Sequence, residues 1–307
     1  MKWRKLGRVF TVGGQRAWMQ SHCSMPFAEA LQNGRHRVWF TPRDGENRSH
    51  LGWLEIDLAD PQKIIALAET PTLAPGPAGN FDETGAMGSW LVTAGGERRH
   101  YYIGWSRASH HPFHIAIGLA TGHPDADAKA GTDFDRASDL PVFDRSDADP
   151  YFVSTPCVLP DGAGWRMWYL SATGWRGTPP KPDYTIRHAT SPDGIAWTPD
   201  GAAIDFAHPG ECAIARPCVV RDGATWRMWY CYRGDAFAYR LGYAESPDGR
   251  RWTRQDDRAG LTVSDTGWDS EMIAYPYVFD HEGSRYMLYA GNGYGTAGMG
   301  LAILESG

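Results

Sequence analysis

A chain of 307 residues with 42% hydrophobic and 21% charged residues has the balance of a globular protein, long enough for one large domain or two ordinary ones. The formal net charge of -6, with no basic run against it, excludes a nucleic-acid footprint, and no stretch approaches the ~20 apolar residues of a membrane span. Fourteen Trp and fourteen Tyr beside 36 Gly and 21 Pro instead predict many short strands joined by tight turns.

The first residues, Lys2-Trp3-Arg4-Lys5, are basic but open no apolar core of signal-peptide length, so a cytoplasmic protein is expected. Residues 25–40 (MPFAEALQNGRHRVWF) give a first strand pair, and 88–105 (GSWLVTAGGERRHYYIGW) with 114–122 (HIAIGLATG) give three more strands. Residues 151–170 read YFVSTPCVLPDGAGWRMWYL and residues 212–231 read CAIARPCVVRDGATWRMWYC, sharing Pro-Cys-Val, Asp-Gly and Trp-Arg-Met-Trp-Tyr. Downstream of each comes Ser-Pro-Asp-Gly and then Trp, at 191–197 and 246–252. A further copy starts at Tyr275 (YPYVFDHEGSRYMLYAGNGYG). Pro26, Pro156, Pro217 and Pro276 set a period of about 60 residues, and five such units fill the chain.

Each unit reads as an apolar strand, an Asp-Gly turn, an aromatic strand, an alternating strand and a short Trp-led strand, which is a four-stranded antiparallel blade. The recurring proline suits an innermost edge strand. The last unit ends after its third strand (298–304), and Lys2-Trp3-Arg4-Lys5 matches Arg251-Trp252-Thr253-Arg254. The N-terminal strand is therefore expected to close the last blade of a single all-β, five-bladed propeller spanning 1–307. Pro71–Gly79 and Asp125–Asp149 read as inter-strand loops, and Gly177–Pro182 as an insertion over the channel mouth. Trp168, Trp197, Trp229 and Trp252 recur at equivalent places and are expected between blades. The five cysteines form no C-x-x-C pair and read as buried thiols in a reducing compartment.

The repeat P-x-V…D-G…M-W-Y…A-x-S-x-D-G-x-x-W resembles the five-bladed propellers of arabinanases, β-xylosidases, invertases and β-mannoside phosphorylases, the glycoside hydrolase families 43, 32 and 130. That resemblance implies acidic residues projecting from inner strands around a pocket on the axis. The acids do not carry over. Where the invertase-like pattern has Glu-Cys-Pro, this chain has Glu211-Cys212-Ala213. Two residues before the aligned prolines stand Ser24, Ser154, Ala215 and Ala274. The invertase-like start resembles Trp18-Met19-Gln20-Ser21-His22 without its nucleophilic Asp.

Glycosyl transfer needs two carboxyls about the anomeric carbon, and acidic lead-ins to inner strands are the candidates that remain. Glu211 is expected as acid and Asp82 or Glu271 as base, with Asp149 and Asp269 in equivalent places; a carboxylate before a strand also commonly caps a turn. His22, Arg43, Arg216, Arg233, Asn292, Tyr275, Trp175 and Tyr184 are expected to bind substrate, Arg216 for an anionic group because it precedes the aligned Pro217. His110, His111 and His114 lack a fourth ligand, so no metal and no other cofactor is expected. The expected function is a carbohydrate-active enzyme on a glycosidic or sugar-phosphate bond, with a small-molecule sugar or glycan as substrate and neither nucleic acid nor membrane as partner. The alternatives are a non-catalytic sugar-binding propeller, or a glycosyl transferase, phosphorylase or natural-product tailoring enzyme on the same scaffold.

Overall fold

The computed structural model describes residues 1–31, 34–122 and 133–305. The expectation of a loop over Asp125–Asp149 therefore falls partly outside the described residues. Twenty strands account for nearly all the regular structure among them. The first sheet contains β2 (Ser21–Ala30), β3 (Arg35–Arg43), β4 (Gly52–Asp57) and β5 (Ala66–Leu67) in that order; the second contains β6 (Gly85–Ala94), β7 (Glu97–Ser106), β8 (His114–Gly122) and β9 (Asp135–Arg136). An eight-stranded sheet holds β10 (Val153–Asp161), β11 (Gly164–Arg176), β12 (Lys181–Ser191), β13 (Thr198–Ile204), β14 (Glu211–Asp222), β15 (Thr225–Gly234), β16 (Arg240–Ser246) and β17 (Thr253–Arg254). Within it, β12 and β14 meet only through one parallel bridge, Tyr184 to Ala213. The last sheet runs β1 (Trp3–Phe10), β20 (Met299–Leu304), β19 (Ser284–Ala290), β18 (Ala274–His281). Its outer strand is the first in the chain: Trp3 pairs with Leu304 and Phe10 with Met299.

Hairpins connect the strands at the Asp-Gly sites. Gly162 and Gly223 take positive φ (63° and 61°), which an L side chain adopts only at a cost. The strands β2, β6, β10, β14 and β18 each lie against the next, and β18 returns to β2. All five carry a bulge at the same place, between Ser24 and Phe27, Met87 and Trp90, Ser154 and Cys157, Ala215 and Cys218, and Ala274 and Tyr277. In four of them the bulged residue precedes proline and has positive φ: Met25 55°, Thr155 45°, Arg216 55° and Tyr275 58°. Proline has no N–H to leave unpaired at a bulge, so it interrupts the ladder without stranding a donor.

The Ser-Pro-Asp-Gly turn fastens one unit to the one before it. Arg99 Nη1 and the Tyr101 hydroxyl donate to the carbonyls of Asp193 and Gly194 (2.6 and 2.8 Å). Arg166 Nη1 and Trp168 Nε1 do the same to Asp248 and Gly249 (2.6 and 2.8 Å). Trp168 also packs on Trp226 and Trp252, and Trp3 meets Trp229 edge-on, so the repeated aromatics fill the seams between units. All five cysteines are buried free thiols.

Candidate functional site

A cavity of about 530 Å³ opens where the five bulged strands converge. The bulges supply much of its wall: Ser24, Met25, Met87, Ser154, Thr155, Ala215 and Tyr275 all line it. The rest comes from the loops and strand ends around them. None of the described residues lining it is Asp or Glu. Its polar groups are instead two guanidinium groups, an imidazole, an amide, several phenols, the Trp105 indole and the hydroxyls of Ser24, Ser154 and Thr155.

Arg43 ends β3 and donates from Nη1 to Asn47 Oδ1 at 2.9 Å. His22 sits in β2 with φ 66°, its Nδ1 within 2.8 Å of Ser21 Oγ. Burial first, and then the charge on Arg43, lower His22 to about 4, so the imidazole is neutral at physiological pH. Across the cavity Arg233, from β15, lies 5.7 Å from the ring centroids of both Tyr184 and Tyr239. The two phenol oxygens of Tyr184 and Tyr239 share a hydrogen bond. Tyr239 carries the contact on to Tyr275 and Tyr294, each 6.1 Å away between centroids. Burial raises the Tyr184 and Tyr275 phenols, which therefore remain protonated donors. The site thus offers two fixed cations, neutral hydrogen-bonding groups and flat apolar surface, and among the described residues lining it no carboxyl to carry a proton or form a glycosyl ester.

Of the residues singled out in the sequence, His22, Arg43, Tyr184, Arg233 and Tyr275 line this cavity. Asp82, Glu211, Glu271, Arg216, Asn292 and Trp175 do not, and each has a physical reason. The Asp82 carboxylate is sealed inside its sheet, accepting from the Tyr102 hydroxyl (3.0 Å) and Arg136 Nε (2.7 Å). Asp149 accepts from Tyr169 (3.0 Å) with Arg187 at 3.5 Å, and Asp269 accepts from Tyr289 (3.1 Å) and Lys5 (2.6 Å). The acidic lead-in is a repeated rivet that ties the start of an inner strand to the phenol of the second strand and to a cation further out.

Glu211 is held by Arg254, Oε1 at 2.7 Å and Oε2 at 2.9 Å, and by the amides of Ala207 and His208. Burial alone would raise its carboxyl, but Arg254 and those amides outweigh it and keep the group below the usual range, ionised. Glu211, His208 and Asp256 bring their ligand atoms within 4.8 Å of one another, but the Arg254 guanidinium already fills the cationic role between the two carboxylates. Glu271 is exposed, and its backbone ties to Asn292 Oδ1 (2.8 Å) and Arg240 (2.8 Å). Asn292 is accordingly a brace for the chain before β18, not a cavity group. Arg216 is fully buried beneath the cavity, donating to Ser89 Oγ (2.9 Å) and lying over the Trp90 ring (5.9 Å). Trp175 stands in an adjoining recess. Asn47, Tyr239 and Tyr294 are cavity residues that the sequence pattern does not flag; Tyr239 lies in an irregular stretch between β15 and β16, and Tyr294 falls within the copy that starts at Tyr275 but has Asp235 in its place one unit earlier.

No family model matches the chain. The fold is that of the propeller glycoside hydrolases: a solved structure named simply a glycoside hydrolase superposes with a TM-score of 0.75 at 17% identity, covering 99% of this chain and 93% of that one. A thermostable family-43 glycoside hydrolase gives 0.67 at 14% identity over 96% and 91%, and the Bombyx mori GH32 β-fructofuranosidase BmSUC1 gives 0.63 at 13% over 96% and 63%. The chain belongs to the family of the Mycobacterium tuberculosis proteins MT1551 and Rv1502, each named an uncharacterized protein and each 43% identical over 308 residues and the full length of both chains.

Proposed function

We propose that this protein binds an anionic sugar, a uronate or a sugar phosphate, in the cavity of a five-bladed propeller that residues 1–307 form as one domain. The eight-stranded sheet counts as two blades, since a single parallel bridge joins its halves. On this reading the cavity does not perform two-carboxylate glycoside hydrolysis. The observation that carries it is the lining itself, which holds Arg43 and Arg233 and no acidic residue among those described. An inverting or retaining glycosidase needs an acid and a base or nucleophile at the bond, and the described residues lining the cavity supply neither. Two arginines flanked by aromatic rings suit a ring that carries a carboxylate or phosphate. The non-catalytic alternative is therefore favoured over the hydrolase that the fold suggests, since function resides in the site and not in the scaffold.

Titration calorimetry with glucose, glucuronic acid and glucose 1-phosphate tests this. The acidic sugars are expected to bind and glucose is not, with Arg43→Gln or Arg233→Gln weakening the acidic ligands by about tenfold or more. Release of sugar from an aryl glycoside by the wild type, abolished in Glu211→Gln, would overturn the reading.

A further inference from the structure

Beside the cavity lies a second recess of about 260 Å³ that shares Phe113 with it. Its back wall is Trp175, from the long end of β11, packed on Phe113 (5.2 Å between centroids) and Phe152 (5.7 Å). Both phenylalanines also line the cavity, so the indole and the cavity are two sides of one aromatic wall. The imidazole of His111 lies flat on Trp175, 5.1 Å between centroids and 5° between planes, on the face where a sugar ring would stack. His110, His114, Arg145 and Tyr151 complete the recess, and none of its described lining residues is acidic. The adjacent Asp144 is occupied by His114 at 3.0 Å. In a chain of net charge -6, two adjoining hollows thus carry arginine and aromatic rings and no carboxylate among the residues lining them.

We propose that the hollows are consecutive subsites for an acidic oligosaccharide. One ring occupies the cavity, held by Arg43 and Arg233; the next stacks on Trp175 in place of His111, with its acid group on Arg145. The proposal rests on the anionic-sugar reading above and adds the length and repeat of the ligand. Glucuronic acid, diglucuronate and the neutral disaccharide cellobiose are titrated into wild type, Arg145→Gln, Trp175→Phe, Trp175→Ala and His111→Ala. Diglucuronate is expected to bind wild type about tenfold tighter than glucuronic acid, and cellobiose not to bind. Arg145→Gln, at an exposed residue, is expected to remove that margin and leave the affinity for glucuronic acid unchanged, and Trp175→Ala is expected to remove the margin as well. Trp175→Phe is expected to keep part of it while preserving the aromatic wall, and His111→Ala to widen it. A dimer that binds no tighter than the monomer, or a margin that survives both Arg145→Gln and Trp175→Ala, overturns the second subsite and leaves the first reading standing. If neither glucuronic acid nor glucose 1-phosphate binds, the anionic-sugar reading itself falls, and this proposal with it.

Discussion

Replacing Asp82 by alanine separates a structural role from a catalytic one. The carboxylate is fully buried, and its removal leaves the Tyr102 hydroxyl without an acceptor and Arg136 without its counter-charge. Breaking a buried ion pair from one side costs about 3–5 kcal/mol, and because the Arg136 side chain is 22% exposed the lower end applies. With an unfolding entropy of about 2 cal/mol/K per residue, a chain of 307 residues loses roughly 1.5 °C of melting temperature per kcal/mol. Differential scanning calorimetry at neutral pH is therefore expected to show a fall of about 5 °C. Tyr102→Phe leaves the ion pair in place and is expected to cost about 1–2 kcal/mol, hence about 2–3 °C. Binding of acidic sugars to the folded variant should match wild type. A catalytic Asp82 would behave in the opposite way: an unchanged melting temperature together with lost turnover would refute the rivet.

Other outcomes follow from the same geometry. His100, lowered to about 3 by burial and then by Arg98 and Arg216, and His188, lowered to about 4 by burial and then by Arg166 and Arg250, are neutral in the fold and titrate near 6.5 when unfolded. Acidification protonates the unfolded chain first, so their contribution is full above pH 6.5 and is lost as the pH falls toward 4. The melting temperature should drop across that window and drop less in His100→Gln; equal slopes would contradict it. Arg216→Met removes a buried cation that has no ion-pair partner among the described residues and replaces it by an apolar side chain, so the melting temperature is expected to hold or rise. A fall of more than about 5 °C would point instead to a counter-charge on the axis. Gly118→Ala would set a Cβ 2.3 Å from Tyr102 Cζ, and Gly242→Ala one 2.2 Å from the Tyr230 ring. Each is expected to destabilise by about 1–3 kcal/mol, read as a lowered midpoint of urea unfolding.

The sheets were legible because units repeat local chemistry: a proline bulge in four of them, and in two an Asp-Gly hairpin with a Ser-Pro-Asp-Gly turn followed by Trp. The match of Lys2-Trp3-Arg4-Lys5 to Arg251–Arg254 anticipated the pairing of β1 with β20. The cavity was less legible. A carboxylate ahead of an inner strand looks alike in sequence whether it faces a ligand or a phenol, and the repeat drew attention to the acids because they recur. The spacing that separates the two cases was present: Asp82 with Tyr102, Asp149 with Tyr169 and Asp269 with Tyr289 are each 20 residues apart. A site does not repeat in register, whereas a rivet does. Arg43, Arg233 and Tyr275 were recoverable because they stand in repeated strands, while Tyr239 lies between them and Tyr294 has Asp235 in its place one unit earlier.

The pairing of β1 with β20 also orders events during synthesis. Trp3–Phe10 leaves the ribosome well before its partner Met299–Leu304. Until then the strand has an unpaired edge, and Trp3 lacks both the Ala259 carbonyl and the Trp229 ring it meets in the finished fold. A contact between such distant parts of the chain is slow to form, because the loop it closes spans residues 11–298. Its completion is the step at which an aggregation-prone edge disappears, so β1 serves as the latch on β20.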